Sequence, residues 1–447
     1  MSETHAETAL ARKAPIAFVA DGQIPASPPP STAVGPVKWA KDNLFSGPIN
    51  SLLTILSFAF VAFLLYEILP WFIDSSWSPA EMSLNGCRAE ASGACFAVIN
   101  ERFNQFFFGF YPADLYWRPI LAFIVVVLAL WPVLFASAPR ALLGLSALAP
   151  FICYLLIWGG SIWGPVAVLL GPVIGYLIFT RAQALFTAVV GEAFGPLLTL
   201  VASVLATVFW LLTLVGPVDG ALSSVLPIGL EEVESNKLGG FMLSLIIGLV
   251  GIVASLPLGI ALALGRQSKL LIVKAISVGF IETMRGVPLI TLLFVASTLL
   301  NYFMPPGSNF DLILRVCIMV TLFASAYMAE VIRGGIAALP KGQYEAADAM
   351  GLTYAQSMRL IVLPQALKIS IPNIVSTFIG LFKDTTLVIV IGLLDPLGLS
   401  SAIRADAAWN GIVWELYGFI ALFFFIFCFG MSRYSQYLER KLRTDHR

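Results

Sequence analysis

Long apolar segments separated by shorter polar stretches dominate this chain. Ten of them reach the length of about 18 apolar residues that marks a spanning helix. They lie at about 50–73, 119–137, 141–158, 162–180, 195–216, 240–264, 286–304, 311–332, 371–394 and 412–432. Gly159 and Gly160 interrupt the segment 141–180, which is also consistent with a re-entrant hairpin. The pattern therefore predicts an all-α polytopic membrane protein with about ten transmembrane helices.

The segment from Lys341 to Pro364 breaks this pattern, because it is polar and helical in periodicity. Helical spacing places Lys341, Glu345 and Asp348 on one face, and Tyr344, Ala347, Gly351 and Tyr354 on the other. Gly351 predicts the end of a first helix. Thr353 and Gln356 have the form of a capping box that begins a second helix, which Pro364 disturbs. We expect a short amphipathic helix, a sharp bend and a helix that returns to the membrane.

Positive charges indicate how the chain is oriented. Lys38 and Lys41 precede the first span, and arginines crowd the C-terminal tail, so both termini are expected in the cytoplasm. Residues 1–43 predict a flexible cytoplasmic tail. The loop 74–118 is then expected outside. Five spans bring the chain outside at residues 217–238, three more place the polar segment 341–364 inside, and the last two return the C-terminus to the inside.

Composition supports the membrane class. Of the 447 residues, 59% are hydrophobic and only 12% are charged, whereas about 25% charged residues are typical of soluble chains. The mean hydropathy is +0.89. The formal net charge is zero, so no nucleic-acid partner is expected.

Cysteine and histidine usage bears on disulfides and metals. Cys87 and Cys95 share the loop predicted outside, and a disulfide between them stays open because sequence does not fix its geometry. Only two histidines exist, His5 and His446, both in the tails, so no metal site is expected.

The same loop is rich in aromatic residues between Phe103 and Trp117. One interpretation is an interfacial aromatic belt at the membrane surface. The alternative is a lateral helix that docks a partner.

The polar segment also resembles a known family. Glu345-Ala346-Ala347, Gly351, Ile361, Leu363 and Pro364 match the pattern E-A-A-x3-G-x9-I-x-L-P of membrane subunits of bacterial ABC importers. In that family this loop is the coupling helix, which sits in a cleft of the ATPase subunit. The resemblance implies a coupling helix at 341–352, with Tyr344 added to the matched residues, within a five-helix permease core at 239–447. The segment 44–238 is then a separate N-terminal membrane segment.

Three further motifs narrow the resemblance to polar amino-acid importers. They are Glu282–Leu289 (ETMRGVPL), Ala326–Gly335 (AYMAEVIRGG) and Leu381–Leu387 (LFKDTTL), with Val287 for the usual Thr and Thr386 for the usual Ser. The loop around Cys95 and Tyr111 is similar to that of the longer permeases of general L-amino-acid and glutamate/glutamine/aspartate/asparagine importers.

The resemblance implies a set of partners in the bacterial inner membrane. They are a second permease subunit, an ATP-binding subunit dimer, a periplasmic solute-binding protein, the L-amino-acid substrate and the lipid. No G-x-x-x-x-G-K-[ST] phosphate loop is present. We therefore expect no cofactor on this chain, with ATP and Mg bound by the partner ATPase, and a non-catalytic membrane subunit.

Charged residues inside spans are candidates for the substrate pathway, because each costs about 2.5–3.5 kcal/mol on insertion scales. Lys383 and Asp384, followed by Thr385, have the signs that a zwitterionic amino acid needs, and an ion pair between helices is the alternative. Glu282 and Arg285 flank a predicted helix break at Gly286 and Pro288, which is either a ligand site or a structural kink.

The pair Glu330 and Arg333 is expected to bond internally or brace the coupling loop rather than contact substrate. Two other functions stay open at this point. One is an ion-gradient-driven secondary amino-acid transporter, and the other is a receptor-like membrane protein in which the loop docks a regulator.

Overall fold

The computed structural model describes residues 35–135, 137–191, 194–299, 302 and 311–443. Most of the predicted tail, residues 1–34, lies outside this part, as do both histidines. Contacts divide the chain into two compact units, Met1–Asp74 and Ser75–Arg447.

The first unit contains helices α1 (Pro36–Asn43) and α2 (Pro48–Ile73). Within it, the hydroxyl of Thr54 donates to the carbonyl of Leu44 at 2.7 Å. Helix α2 has 26 residues and a mean hydropathy of 2.3, with none of its most apolar window buried. At about 1.5 Å per residue it is long enough to cross a bilayer.

The second unit contains the other helices. They are α3 (Leu84–Glu90), α4 (Ala97–Phe108), α5 (Trp117–Leu134), α6 (Leu142–Trp158), α7 (Trp163–Val190), α8 (Gly195–Phe209), α9 (Val215–Val225), α10 (Gly240–Arg266), α11 (Leu271–Gly286), α12 (Leu289–Phe294), α13 (Leu312–Ala337), α14 (Gly342–Ala349), α15 (Tyr354–Ser357), α16 (Leu363–Asp384), α17 (Pro396–Arg404) and α18 (Trp414–Arg443). Two-residue strands β1 (Gly160–Ser161) and β2 (Gly229–Leu230) pair antiparallel. The described part is thus almost entirely helical, as predicted.

Eight helices of the described residues are long and apolar enough to span a membrane, and nine if the bent pair α11–α12 counts as one span. Helix α6, with 17 residues, is shorter and corresponds to the predicted span 141–158. It is separate from α7, which at 28 residues can cross by itself. The crossing of α6 and the hairpin alternative both stay predictions.

One predicted helix end is wrong. We expected the chain to leave the membrane at residue 217, but the helix continues to Val225. A π-helical turn, Trp210–Leu214, precedes Pro217, and such a wide turn gives a proline ring room that a regular helix lacks. Asp219 therefore lies within the helical segment, where its carboxylate accepts from the Ser223 hydroxyl at 3.4 Å.

Helices α10 and α13 form the centre of the second unit. A Cβ placed on Gly259 would lie 2.7 Å from Cβ of Met328, and one on Gly251 would lie 3.0 Å from Val320. Only glycine therefore allows this approach of the two backbones. Helix α13 is the most enclosed span, with 61% of its apolar window buried. It fixes the positions of the helices around it.

The segment 76–112, here called the cap, packs on the core. Cys87 and Cys95 are joined by a disulfide, and Ser76 and Cys95 form a parallel bridge. Phe106 is fully buried against Phe241 and Phe419. Phe106 therefore packs on α10 and α18 of the same chain, whereas Phe103 of the same helix is exposed. The aromatic belt and the docking helix both stay predictions.

A buried carboxyl at the same end of the core generates a pH-dependent prediction. Asp395 caps α17, accepting from the amide of Gly398 at 2.9 Å, and is fully buried. Burial raises its pKa to about 6, although backbone hydrogen bonds oppose the shift. Lowering the pH from 7 to 4 should therefore stabilise the fold by about 2 kcal/mol, because the folded state binds that proton more tightly.

Asp395→Asn keeps an acceptor for Gly398 but does not titrate. Thermal unfolding in detergent should show the wild type gaining stability relative to this variant as pH falls through 6. Because all other titrating groups are common to both proteins, a constant difference between them across this range would contradict the prediction.

Candidate functional site

The polar segment forms two short helices joined by a sharp bend. Helix α14 ends just before Gly351, whose φ of +71° is readily adopted only by glycine. Thr353 then caps α15: its hydroxyl accepts from the amide of Gln356, and the Gln356 side chain accepts from the amide of Thr353 at 2.9 Å. The predicted helix stop and capping box are both present.

The two faces of α14 differ in exposure. Ala347 is fully buried, whereas Lys341, Glu345 and Asp348 are exposed. Tyr344 is half-buried, and this burial, with a smaller contribution from Tyr354, raises its pKa. The structure thus presents the predicted charged face to the outside of the chain.

Part of the predicted apolar face does not form. Gly351 and Tyr354 are exposed, and Tyr354 is 62% accessible. The reason is that the helix ends at Ala349, so the helical register does not extend across the bend. Ala346 is exposed as well. Within the predicted apolar face, Tyr344 and Ala347 are the residues of α14 that are partly or fully buried.

The remaining motif residues form the anchor of this loop. Ile361 lies in a π-helical turn, Met358–Val362, and Leu363 and Pro364 begin α16 directly after it. Gln365 donates to the side chain of Gln343 at 3.0 Å, which ties α16 to α14. A buried apolar cluster continues from this turn to the inner helices; its members include Ala263, Met328, Ile332, Ile336, Met358, Val362 and Ala366.

A charge cluster lies beside this anchor, at the ends of α10, α11 and α13. Glu330 contacts Arg266 at 2.7 Å, Arg333 at 3.0 Å and Arg285 at 3.9 Å. Arg266 also bonds Glu282 at 2.9 Å. The Glu330 side chain is only 17% exposed, so one mostly enclosed carboxylate holds three helices together.

The predicted helix break is present. Helices α11 and α12 meet at an angle of 103°, across Gly286 and Pro288. Glu282 and Arg285 lie before the bend and belong to the Glu330 cluster, where Arg285 also stands 5.6 Å from the ring centre of Tyr327. Sequence analysis did not identify Arg266 or Tyr327 as members of this cluster, because only the folded chain brings them close to Glu330 and Arg285.

The other pathway candidates lie at the end of α16, where Lys383 and Asp384 are its last residues and Thr385 follows it. Lys383 is exposed and Asp384 is half-buried, and no ion pair of either is found among the described residues. Thr385 is buried and donates to the carbonyl of Phe382 at 2.8 Å. Its hydroxyl is therefore already used by the backbone.

The structure does connect these candidates to the broken helix. Helix α12 contacts the 3-10 turn Thr385–Ile391, and Leu289, Leu293 and Val388 share one buried cluster. Glu282 and Arg285, however, lie on the other side of the bend. The five predicted pathway residues therefore fall into two separate groups.

Among the residues that the structure describes, no group of three metal-ligating side chains occurs.

Comparisons with known proteins agree with these features. Residues 255–444 match the family described as binding-protein-dependent transport system inner membrane component. A Rhodobacter capsulatus protein named glutamate/glutamine/aspartate/asparagine transport system permease protein BztC is 56% identical over 439 residues, 96% of this chain and 99% of that protein. The inner membrane amino-acid ABC transporter permease protein YhdY of Escherichia coli K12 is 39% identical, covering 91% and 93%.

The chain belongs to the amino-acid ABC transporter permeases. Shorter relatives cover only part of this permease: the probable glutamine ABC transporter permease protein GlnM of Bacillus subtilis is 31% identical over 214 residues, 47% of this chain and 95% of that protein. A solved structure, described as the crystal structure of an amino acid ABC transporter with histidines, has 30% identity and a TM-score of 0.40, covering 44% of this permease and 90% of that chain.

The charge cluster generates a prediction about stability. Glu330→Ala should lower the free energy of unfolding by about 1–3 kcal/mol, because it leaves three arginines facing one another with their carboxylate removed. Thermal unfolding of the purified permease measures the loss. Glu282→Ala is the matched control: its side chain is 55% exposed, and we expect a loss below about 1 kcal/mol. Equal losses in the two variants would contradict the central position of Glu330.

Proposed function

We propose that this permease imports L-amino acids as one of two membrane subunits, driven by ATP that a partner ATPase dimer hydrolyses. The observation that supports the proposal most directly is that α14 has one exposed, charged face and one buried face. Its charged residues Lys341, Glu345 and Asp348 are exposed, while Ala347 is fully buried against the core. Such a helix can be pushed by a soluble partner without separating from the membrane helices.

A continuous series of contacts connects α14 to the helices of the core. The hydrogen bond between Gln343 and Gln365 ties it to α16. Helix α16 packs closely on α13, since a Cβ on Gly335 would lie 2.5 Å from the backbone carbonyl oxygen of Ala366. Interfaces as close as this move as units rather than deform. We therefore infer rigid-body motion of α13, α14 and α16.

We infer the class of the transported substrate from the charges of two pathway residues and from the name of a relative. The printed name of the Rhodobacter capsulatus relative specifies glutamate, glutamine, aspartate and asparagine. An amino-acid zwitterion needs one cationic and one anionic partner, and Lys383 and Asp384 supply both signs without an ion pair to another described residue. We assign them to the substrate pathway.

The same proposal assigns the two ends of the molecule. Helix α14 faces the cytoplasm, where ATP is, and both termini lie on that side. The cap then faces the periplasm, where a solute-binding protein delivers the amino acid. This chain supplies no ATP-binding residues of its own; ATP and Mg belong to the ATPase partner.

A charge reversal tests the coupling role of α14. Glu345→Lys should reduce ATP-driven amino-acid uptake at least about tenfold, because it reverses a charge on the face that α14 presents to the proposed partner. The melting temperature of the isolated permease should stay unchanged, because the side chain is exposed. Uptake is measured in proteoliposomes that contain the complete complex, with and without internal ATP.

Lys274→Glu is the matched control, since it also reverses an exposed charge but lies in α11, outside the polar segment and the cap. It should leave uptake unchanged. Uptake by the Glu345→Lys complex at the wild-type rate would overturn the coupling role, and uptake by the wild type without ATP would favour a gradient-driven transporter.

Removal of one pathway charge tests the substrate assignment. Lys383→Gln should raise the KM for uptake about tenfold, because a charged hydrogen bond to the substrate carboxylate is lost. Lys274→Gln, an exposed lysine of α11, serves as control. An unchanged KM in the Lys383 variant would exclude Lys383 from the pathway.

A further inference from the structure

The cap contacts the amino end of α18 through a buried carboxylate. Glu415 lies in the first turn of that helix and is only 8% exposed. It accepts from the backbone amide of Cys95 at 3.0 Å, although the two residues are 320 positions apart. A buried carboxylate that lost this donor would carry a desolvation cost, so the contact favours one fixed position of α18.

A second contact holds the turn that precedes α18. Arg102 of the cap bonds Asp406 at 2.6 Å. The other oxygen of Asp406 accepts from the amide of Ala408 at 3.0 Å and thereby caps the turn Ala407–Trp409. Trp409 is fully buried. One carboxylate thus joins the cap to the link between α17 and α18.

The third contact is with α10. Gly240 has a φ of +63°, and a Cβ there would lie 2.0 Å from the carbonyl oxygen of Phe106, so the two backbones touch. The amide of Phe110 donates to the carbonyl of Lys237 at 3.0 Å. The ring of Phe107 packs at 5.2 Å from that of Phe241. The cap therefore joins the first helix of the core to the last.

The disulfide restrains Cys95, the residue whose backbone amide donates to Glu415. Cys87 belongs to α3, and its bond to Cys95 closes a loop with a sequence separation of eight. Both cysteines are almost fully buried, at 3% and 2% exposure. A closed loop restricts the unfolded chain and holds the Cys95 amide in place.

We propose that the cap is a disulfide-locked clamp that makes the outer ends of α10, α17 and α18 move as one body, with Glu415 as its positioning residue. Its effect on uptake rests on the import function proposed above, whereas its effect on local order does not. The clamp holds one end of the core while α14 transmits motion at the other.

Amide hydrogen exchange of the purified permease, followed by mass spectrometry, tests the clamp directly. Glu415→Ala should speed exchange of residues 407–420 about tenfold, since loss of a hydrogen bond to a charged group shifts the local opening equilibrium by that order. Glu415→Gln keeps an acceptor and should restore the wild-type rate. Exchange of α14 should not change in either variant.

The double variant Cys87→Ser, Cys95→Ser should show the same fast region, and uptake by its complex should fall about tenfold. Arg88→Ala, an exposed change within α3, and Cys428→Ser, a free cysteine of α18, are controls that should match the wild type. If the double variant is not recovered in a folded form, the comparison of Glu415→Ala with Glu415→Gln tests the clamp without it.

Two results would overturn the clamp. One is wild-type exchange at residues 407–420 in Glu415→Ala. The other is fast exchange in Glu415→Gln equal to that in Glu415→Ala, since the acceptor would then be irrelevant. A wild-type complex that takes up no amino acid would instead overturn the import function and leave the exchange result standing.

Discussion

The close approach of α10 and α13 is the constraint on which the rest of the second unit depends. Lipid tails are as apolar as leucine, so membrane helices gain little from hydrophobic contact and associate where small residues let their backbones approach. Gly251 and Gly259 provide that approach, with no space for a Cβ against Val320 and Met328. The contact sets the distance between the helix ends, and it therefore places Arg266 within 2.7 Å of Glu330.

Electrostatics then act on a geometry that helix contact has already fixed. Three guanidinium groups around one carboxylate would repel one another, but Glu330 offsets that repulsion and joins the ends of α10, α11 and α13. The cluster lies beside the apolar contacts that anchor α14 and α16. Helix α14 needs such an anchor because it is only eight residues long and so short a helix has little stability of its own.

Local features of this fold were predictable from the sequence, whereas long-range features were not. The helix stop at Gly351, the capping box at Thr353 and the pair Glu330–Arg333 each involve residues within four positions, so spacing alone predicts them. The pair Arg266–Glu330 spans 64 positions and Cys95–Glu415 spans 320; no periodicity encodes such contacts. The exit at residue 217 was misplaced for a different, local reason, because the π turn before Pro217 leaves no clear mark in composition.

The region before the matched family segment contains the cap, and the length of a shorter relative bears on the role of this region. GlnM aligns over 95% of its own length with only 47% of this permease, so about half of this chain is additional to a protein of that size. The cap belongs to a region before the matched family segment 255–444, yet it bonds the beginnings of α10 and α18. A helix pushed at one end and free at the other can bend or shift in register. A helix held at both ends can only rotate or translate with its neighbours. Under the proposed function, a clamp at the outer end would therefore convert a push on α14 into movement of the whole core.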